Sequence, residues 1–474
     1  MELVCGVDSS TQSTKVELRD IETGAVVAAA AAPHPATEPP VSEQDPEAWW
    51  TALVSCLGVV GEHLGDVVAV SVAGQQHGMV LVDHGGAVVR PAKLWNDTTS
   101  APQAEALVAE LGAAGWAQGC GSVPVAAFTI TKLAWMAEHE PDALERAARA
   151  MLPHDYLTWR LTGAHVTDRG DASGTGWWSP ATGDWDDGLL ARAVGGVGWR
   201  GRSPHVLGET EAAGTVTADV GLPATTIVAA GTGDNMGAAL GLGLQPGDVV
   251  MSLGTSGTVF AVSETPTADA AGLVAGFADA TGRFLPLVCT LNATKVTDAA
   301  GRWLGVGRDE LATLALDAAA GGPVLVPYLD GERTPNLPDA TGLLVGLRTS
   351  TTPADLARAA HLGVVCGLLD GVDALVAAGV PVDGRRFLVG GGSRSTAYRQ
   401  LVADTWGGPV IVPDLDETVA TGAAVQAAVA ATGGSFDDVA EAWGLGAGSS
   451  TSPRADADGD AVRAAYAEAR RMVG

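Results

Sequence analysis

Val4-Cys5-Gly6-Val7-Asp8-Ser9-Ser10-Thr11-Gln12-Ser13-Thr14-Lys15-Val16 reads as a strand, a tight polar turn and a second strand. The plan returns in the second half of the chain as Val249-Val250-Met251-Ser252-Leu253-Gly254-Thr255-Ser256-Gly257-Thr258-Val259-Phe260-Ala261-Val262. One such hairpin in each half is the mark of a duplicated domain. A turn rich in Ser, Thr and Gly presents successive N–H groups and hydroxyls, which suit a polyphosphate where cationic side chains are scarce. Either turn alone reads more readily as an ordinary hairpin turn. Together they can grip one triphosphate, with Asp8 placed to hold Mg²⁺ and Lys15 able to reach a transferring phosphate.

Cations are indeed scarce. The 474 residues include 55 Asp and Glu against 27 Lys and Arg, for a formal net charge of -28, and Lys15, Lys93, Lys132 and Lys295 are the only lysines. That balance argues against nucleic acid or an anionic membrane as partner. An anionic nucleotide would instead need backbone N–H turns, helix N-termini and a metal ion. The length exceeds what one core supports, so two domains with a cleft between them are expected. Cys5, Cys56, Cys120, Cys289 and Cys366 are scattered, mostly in apolar runs, and read as reduced core thiols. The chain opens directly on a strand, without a charged leader and apolar h-region. No uninterrupted apolar run is long enough to span a bilayer, and the expected compartment is the cytoplasm.

Apolar runs bounded by glycine, at 3–7, 67–72, 227–230, 249–253, 324–326 and 387–389, read as buried strands. Ala-rich stretches at 101–111, 141–151, 353–378 and 461–472 have helical spacing, and strands interleaved with helices make the fold α/β. Asp45-Pro46-Glu47 before Trp49 and Trp50 is a helix start. Segments 195–222 and 241–247 read as Gly-rich connections, and 447–459 as a surface loop before a terminal helix. The boundary falls near the second connection, dividing the chain into 1–243 and 244–474, and the terminal helix is expected to pack back on the first domain.

Three further segments end strands with polar groups. Gly231-Thr232-Gly233-Asp234-Asn235 puts Asp234 at a strand's carboxyl end, where a carboxylate can take the proton of an attacking hydroxyl or simply cap the next helix. Gly74-Gln75-Gln76-His77-Gly78, with Trp95-Asn96-Asp97 a short distance on, offers amides, an imidazole, a carboxylate and an apolar ring face, the mixture a sugar wants. Gly390-Gly391-Gly392-Ser393-Arg394 closes a strand and lets backbone approach a flat base or ribose. This last segment is not a G-x-G-x-x-G turn, and no P-loop occurs in the chain.

In this order these segments resemble the FGGY family of carbohydrate kinases, in the actin-like ATPase superfamily, with the xylulokinases the most similar group. The resemblance also rests on Ser42-Glu43-Gln44-Asp45-Pro46, Phe128-Thr129-Ile130-Thr131-Lys132-Leu133-Ala134-Trp135, Leu152-Pro153-His154-Asp155-Tyr156-Leu157 and Pro327-Tyr328-Leu329 with Gly331-Glu332-Arg333-Thr334-Pro335. It covers nearly the whole chain. It implies two ribonuclease H-like domains closing over a catalytic cleft, the first mainly for the sugar and the second for ATP and Mg²⁺. Asp234 matches the family's catalytic base and Asp8 its metal-associated aspartate, with Asp234 also beside the metal. Gln76 and His77 match the pair that contacts the ketose, with Trp95, Asn96, Asp97 and Asn235 around it. Ser10, Thr11, Gln12 and Lys15 match the first phosphate loop, Gly254, Thr255, Ser256 and Gly257 the second, and Gly391, Gly392 and Ser393 the adenosine loop. The expected reaction is ATP-dependent phosphorylation of D-xylulose. The rivals are another ketose or polyol, a non-catalytic sugar sensor, or an ATPase acting on protein partners. Family members are often dimers, so a homodimer is the assembly implied. Two departures stand out. Ser10 replaces a usual glycine, which requires that its φ be negative or mildly strained, and His154 replaces a usual lysine.

Overall fold

The computed structural model describes residues 1–195, 199 and 201–473; the Gly-rich connection expected at 195–222 therefore lies partly outside the described residues. In the first half, β1 (Leu3–Ser9), β2 (Ser13–Asp20) and β3 (Val26–Pro33) form an antiparallel meander. Helix α1 (Pro46–Val59) crosses over, and β4 (Val67–Gly74) returns parallel to β1. Every residue of β1 is buried, as a strand covered on both faces requires. Asp45 caps α1 by accepting from Glu47 N at 3.0 Å, with Pro46 in the first turn. Helices α2 (Ala101–Leu111) and α3 (Pro153–Thr162) follow, then β5 (Ala212–Thr215), β6 (Ile227–Ala229), β7 (Thr232–Gly233) and α4 (Asp234–Gly241). The sheet runs β5-β6-β4-β1-β2-β3, with β7 also beside β4.

The second half repeats the plan. Strands β8 (Val249–Leu253), β9 (Gly257–Ala261), β10 (Ala275–Ala278) and β11 (Phe284–Thr290) precede α5 (Thr294–Leu304) and the long α6 (Pro353–Ala377). Then come β12 (Arg386–Val389), α7 (Thr396–Trp406), β13 (Val410–Pro413), α8 (Thr418–Thr432), β14 (Gly448–Thr451) and α9 (Gly459–Arg470). The sheet runs β10-β11-β9-β8-β12-β13-β14, and β8 pairs antiparallel with β9 and parallel with β12, as β1 does with β2 and β4. Each half is thus a ribonuclease H-like α/β domain, and the two hairpins occupy equivalent places.

Several elements differ from the sequence reading. The helix expected at 141–151 stops at Arg146, and Arg149–Met151 pairs with Val80–Val82, where it shields their apolar edge. Strand Val324–Val326 pairs only with Leu343–Val345, outside the main sheet. The loop expected at 447–459 contains β14, which covers the edge of β13. Helix α6 is long and apolar enough to cross a membrane by length and composition, although Asp370 and Asp373 interrupt its apolar run. Yet 72% of its most apolar window is buried in the protein, so it is the core helix of the second domain.

The terminal helix does not pack on the first domain. Helix α9 lies on α6, α7 and strand Val324–Val326, where Tyr466 and Ala469 join Val326, Tyr328 and Cys366 in one buried cluster. Arg463 and Arg470 pair with Asp373 and Asp370 of α6. The crossing element is α8, which packs on α4, β1 and β4. Glycines permit the approach: a Cβ on Gly422 would fall 1.8 Å from Gly237 O, on Gly241 1.9 Å from Thr418 O, and on Gly6 2.0 Å from Ala420 O. Buried Gln426 of α8 completes the joint, its Oε1 accepting from Ser71 Oγ (2.6 Å) and Gly231 N (3.0 Å) while its Nε2 donates to Gly231 O (3.0 Å).

Gly422→Ala is expected to destabilise the protein by about 1–3 kcal/mol, the usual cost of overpacking. Gly58→Ala, in the exposed last turn of α1 with nothing within 4 Å of the added methyl, is expected to gain about 0.5 kcal/mol. Urea titration of the two variants beside the parent protein checks both signs.

Candidate active site

Strands β1, β4 and β7 deliver their polar residues to one edge of the first sheet. Ser9, Gly74 and Gly233 lie in register, so Asp8, the Gln75-Gln76-His77 segment and Asp234 emerge side by side at the carboxyl ends of parallel strands. Of these, Gln76, His77 and Asp234 line a cavity of about 420 Å³, together with Trp95, Phe128 and Asn235 of the same domain, while Asp8 lies outside its lining. The second domain contributes residues 254–258 of its hairpin and Arg333 to the same cavity. A larger cavity of about 540 Å³ lies under α9 and holds none of the sugar or phosphate segments.

Asp234 opens α4, and its Oδ1 accepts from Asn235 N (2.8 Å) and Asn235 Nδ2 (3.1 Å), leaving Oδ2 as the oxygen Asn235 does not engage. The same Nδ2 donates to Gln76 Oε1 at 2.9 Å, which joins Asp234 and Gln76 in one network through Asn235. Gly233 is required there, since a Cβ would lie 2.7 Å from Gln76 Cγ. Buried Nε2 of Gln76 has no hydrogen-bond partner among the described residues, which leaves a donor free for something that enters the cavity. Removal from water pushes the Asp234 carboxyl up to about 7, helped by the charges of Asp8 and Asp171. Burial likewise raises Asp8 to about 6 against the pull of the Ser10 hydroxyl and Lys15.

His77 is the one described non-glycine residue with a positive φ, 65°. Its ring stacks on Phe128 at 4.9 Å, and Nδ1 lies 2.7 Å from Gly174 O, so Nδ1 carries the proton and donates. Burial, then the nearby charges of Lys132 and Arg333, hold its pKa down at about 3. The ring is therefore neutral, and its Nε2 is an acceptor for a hydroxyl.

The other expected residues divide. Trp95 lines the cavity and donates through Nε1 to Thr11 Oγ1 at 2.8 Å, tying the sugar side to the first turn. Ser10 has no positive φ, and its hydroxyl donates to Asp8 Oδ1, so serine fits the turn without backbone strain. Ser10, Thr11, Gln12 and Lys15 border the site without lining the cavity, and Lys15 Nζ pairs with Glu417 Oε2 of α8 at 2.5 Å. In the second turn the carbonyls of Gly254 and Thr255 accept from Thr294 N (3.0 Å) and Ala293 N (3.3 Å), which fixes it while the Thr255 and Ser256 side chains stay exposed. Gly391 is open to solvent, and Gly392 packs on Leu253 beneath that turn, so the adenosine-type segment adjoins the phosphate-type one. Asn96 does not reach the cavity.

Asp97 is a correction. It is fully buried and accepts from Ser42 N (2.9 Å) and Thr99 N (3.0 Å), while buried Lys93 lies 3.4 Å away and needs a counter-ion. Its role is structural. Arg333 and Phe128 were given no role in the sequence reading. Both sit in segments quoted for the resemblance, yet nothing local says that their side chains meet across a cleft.

The N-terminal domain model of the FGGY family of carbohydrate kinases matches residues 3–241 and the C-terminal domain model matches residues 249–431. The chain belongs to the FGGY family of carbohydrate kinases. The xylulose kinase of Streptomyces coelicolor is 51% identical over 449 residues, 94% of this chain and 92% of its own. That of Escherichia coli is 37% identical over 419 residues, 85% of this chain and 84% of its own. The crystal structure of xylulose kinase from Bifidobacterium adolescentis superposes with a TM-score of 0.89 at 41% identity, covering 99% of each chain. This FGGY chain is a carbohydrate kinase, with ATP as the phosphoryl donor its family implies.

A Cβ on Gly174 would lie 2.7 Å from His77 Nδ1 and Cε1, so Gly174→Ala should displace the ring. Steady-state kinetics are expected to show kcat/KM for sugar reduced by about tenfold to a hundredfold, with KM for ATP unchanged.

Proposed function

We propose that this kinase transfers the γ-phosphoryl group of ATP to the terminal hydroxyl of D-xylulose, giving D-xylulose 5-phosphate. The observation that carries the reading is one cavity holding a carboxylate of raised pKa, hydrogen-bonded through Asn235 to Gln76, and facing a Ser/Thr/Gly hairpin of the other domain. The neutral His77 Nε2 and the Gln76 Nε2 donor take hydroxyls of the ketose, with the ring of Trp95 against its apolar face. Asp234 accepts the proton of the attacking hydroxyl, while residues 254–257 and the Ser10–Gln12 turn hold the triphosphate from opposite sides. Gly391, Gly392 and Ser393 receive the adenosine. The relatives named as xylulose kinases support the choice of sugar.

Asp8 and Asp234 suit a magnesium ion. The Asp8 charge raises the pKa of Asp234, and no group of three or more His, Cys, Asp or Glu forms a closed metal cage among the described residues. Magnesium is typically held by one or two carboxylates together with substrate phosphates. When bound it would neutralise phosphate charge.

Asp234→Ala is expected to lower kcat by at least ~10²-fold while sugar binding, read by calorimetry, survives. Comparable turnover in that variant would defeat the assignment. A base must be ionised to act, so kcat/KM should rise with pH through about 7 and fall about tenfold per unit below it. ADP release with D-xylulose, D-ribulose, L-ribulose, D-fructose, glycerol and xylitol, beside a sugar-free control, tests the substrate. Preference for another sugar overturns D-xylulose alone, and sugar-independent hydrolysis overturns the kinase reading of the cavity.

A further inference from the structure

Behind the two strand ends that carry His77 and Asp234 lies a buried charge cluster that the reaction as described does not use. Its centre is His154, fully buried at the start of α3. A Cβ on Gly74 would lie 3.1 Å from His154 Cβ, and one on Gly231 2.5 Å from His154 Cδ2, so the side chain is wedged beneath both strand ends. Three carboxylates surround it. Nδ1 lies 2.8 Å from Asp171 Oδ2, and Nε2 lies 3.0 Å from Asp155 Oδ1 and 3.8 Å from Asp168 Oδ1. From β4 and the Gly231 link, the backbone of Gly74 and Gly231 lies against this side chain.

Two of these carboxylates lead onward to the site. Asp168 Oδ2 accepts from Thr232 Oγ1 at 2.8 Å, two residues before Asp234. Asp171 caps the other arm: its carbonyl accepts from Gly174 N at 2.9 Å, and Gly174 O sets the ring of His77. The Asp171 charge also reaches Asp234. We propose that His154 is a positioning residue of the kinase reaction, a buried imidazolium whose charge holds Asp168 and Asp171 in place and thereby sets the Thr232–Asp234 turn and the His77 ring. The inference rests on the reading of Asp234 as the base.

Burial by itself would lower the pKa of His154; the charges of Asp155, Asp171 and Asp168 outweigh it and raise it to about 9. An uncompensated cluster of carboxylates would otherwise repel the ionised form of Asp234. A lysine in this position would keep its charge at alkaline pH, whereas His154 gives the charge up.

Nitrogen NMR of the histidine rings in the intact enzyme, at about pH 7, is expected to show His154 doubly protonated. His154→Gln should lower kcat by about tenfold or more and move the acid limb of kcat/KM to higher pH, since a lost positive charge raises the pKa of a nearby carboxylate. KM for ATP should hold. His154→Lys should restore kcat and remove the alkaline loss of activity expected of the parent enzyme near pH 9. A neutral His154 ring, or a His154→Gln enzyme with parental kcat and acid limb, overturns the proposal. Equal loss in the Gln and Lys variants also overturns it, because packing alone would then account for the effect. If the Gln variant does not fold, the NMR result and the Lys pH profile decide. Asp234→Asn is measured alongside: an active Asp234→Asn enzyme removes the base reading, whereas the ring protonation of His154 reports on the cluster independently.

Discussion

The active site exists because the backbone of α8 touches the backbone of the first domain. Gly422, Gly241 and Gly6 remove the side chains that would keep helix, helix and strand apart, and the added Cβ distances of 1.8 to 2.0 Å leave no room for even a methyl group. This seam brings two similar domains together so that the hairpin of the second lines a cavity which that of the first borders. Along it run polar ties of increasing burial: Lys15 to Glu417, Arg19 to Thr421, and Gln426 to Gly231 and Ser71. The last of these ends three residues before Asp234. A helix of the second domain is therefore anchored to the segment that presents Asp234.

The second organising constraint is electrostatic. The protein carries 55 acids against 27 Lys and Arg, and the site concentrates that excess: Asp8, Asp171 and Asp234 each raise or are raised by carboxylate neighbours. What would be a liability elsewhere suits a kinase. A carboxylate with its pKa near neutrality is a good proton acceptor, and substrate phosphates arrive with their own counter-ion. The compensating protein charges are few: Lys15 lies beside Asp8 and pairs with Glu417, and Arg333 stands on the opposite wall.

Much of this was legible in the residue order. The repeated strand-turn-strand, the glycine-bounded apolar runs and the Asp45-Pro46 helix start depend on local periodicity and local hydrogen bonding, and these elements form where the pattern places them. The misreadings share one cause. Residues 141–151 have helical composition, but 149–151 are drawn into pairing with Val80–Val82, and β14 arises from a segment of turn-forming residues because the edge of β13 needs cover. Asp97 looked like a sugar ligand because it follows Trp95 and Asn96. Its burial against Lys93, itself four residues earlier, follows from how the intervening turn folds inward.

By itself the sequence determined the α/β class, the duplication, the family and the identity of the residues at each strand end, because all of these are written in patterns a few residues long. Only the tertiary structure decided which of those residues share a cavity, that α8 and not α9 crosses between domains, that His77 is neutral and held by Gly174, and that His154 lies beneath both strand ends. Those outcomes depend on contacts between segments tens to hundreds of residues apart and on burial, which sets whether a carboxylate is a ligand, a base or a counter-ion; neither is encoded in the chemistry of any one stretch.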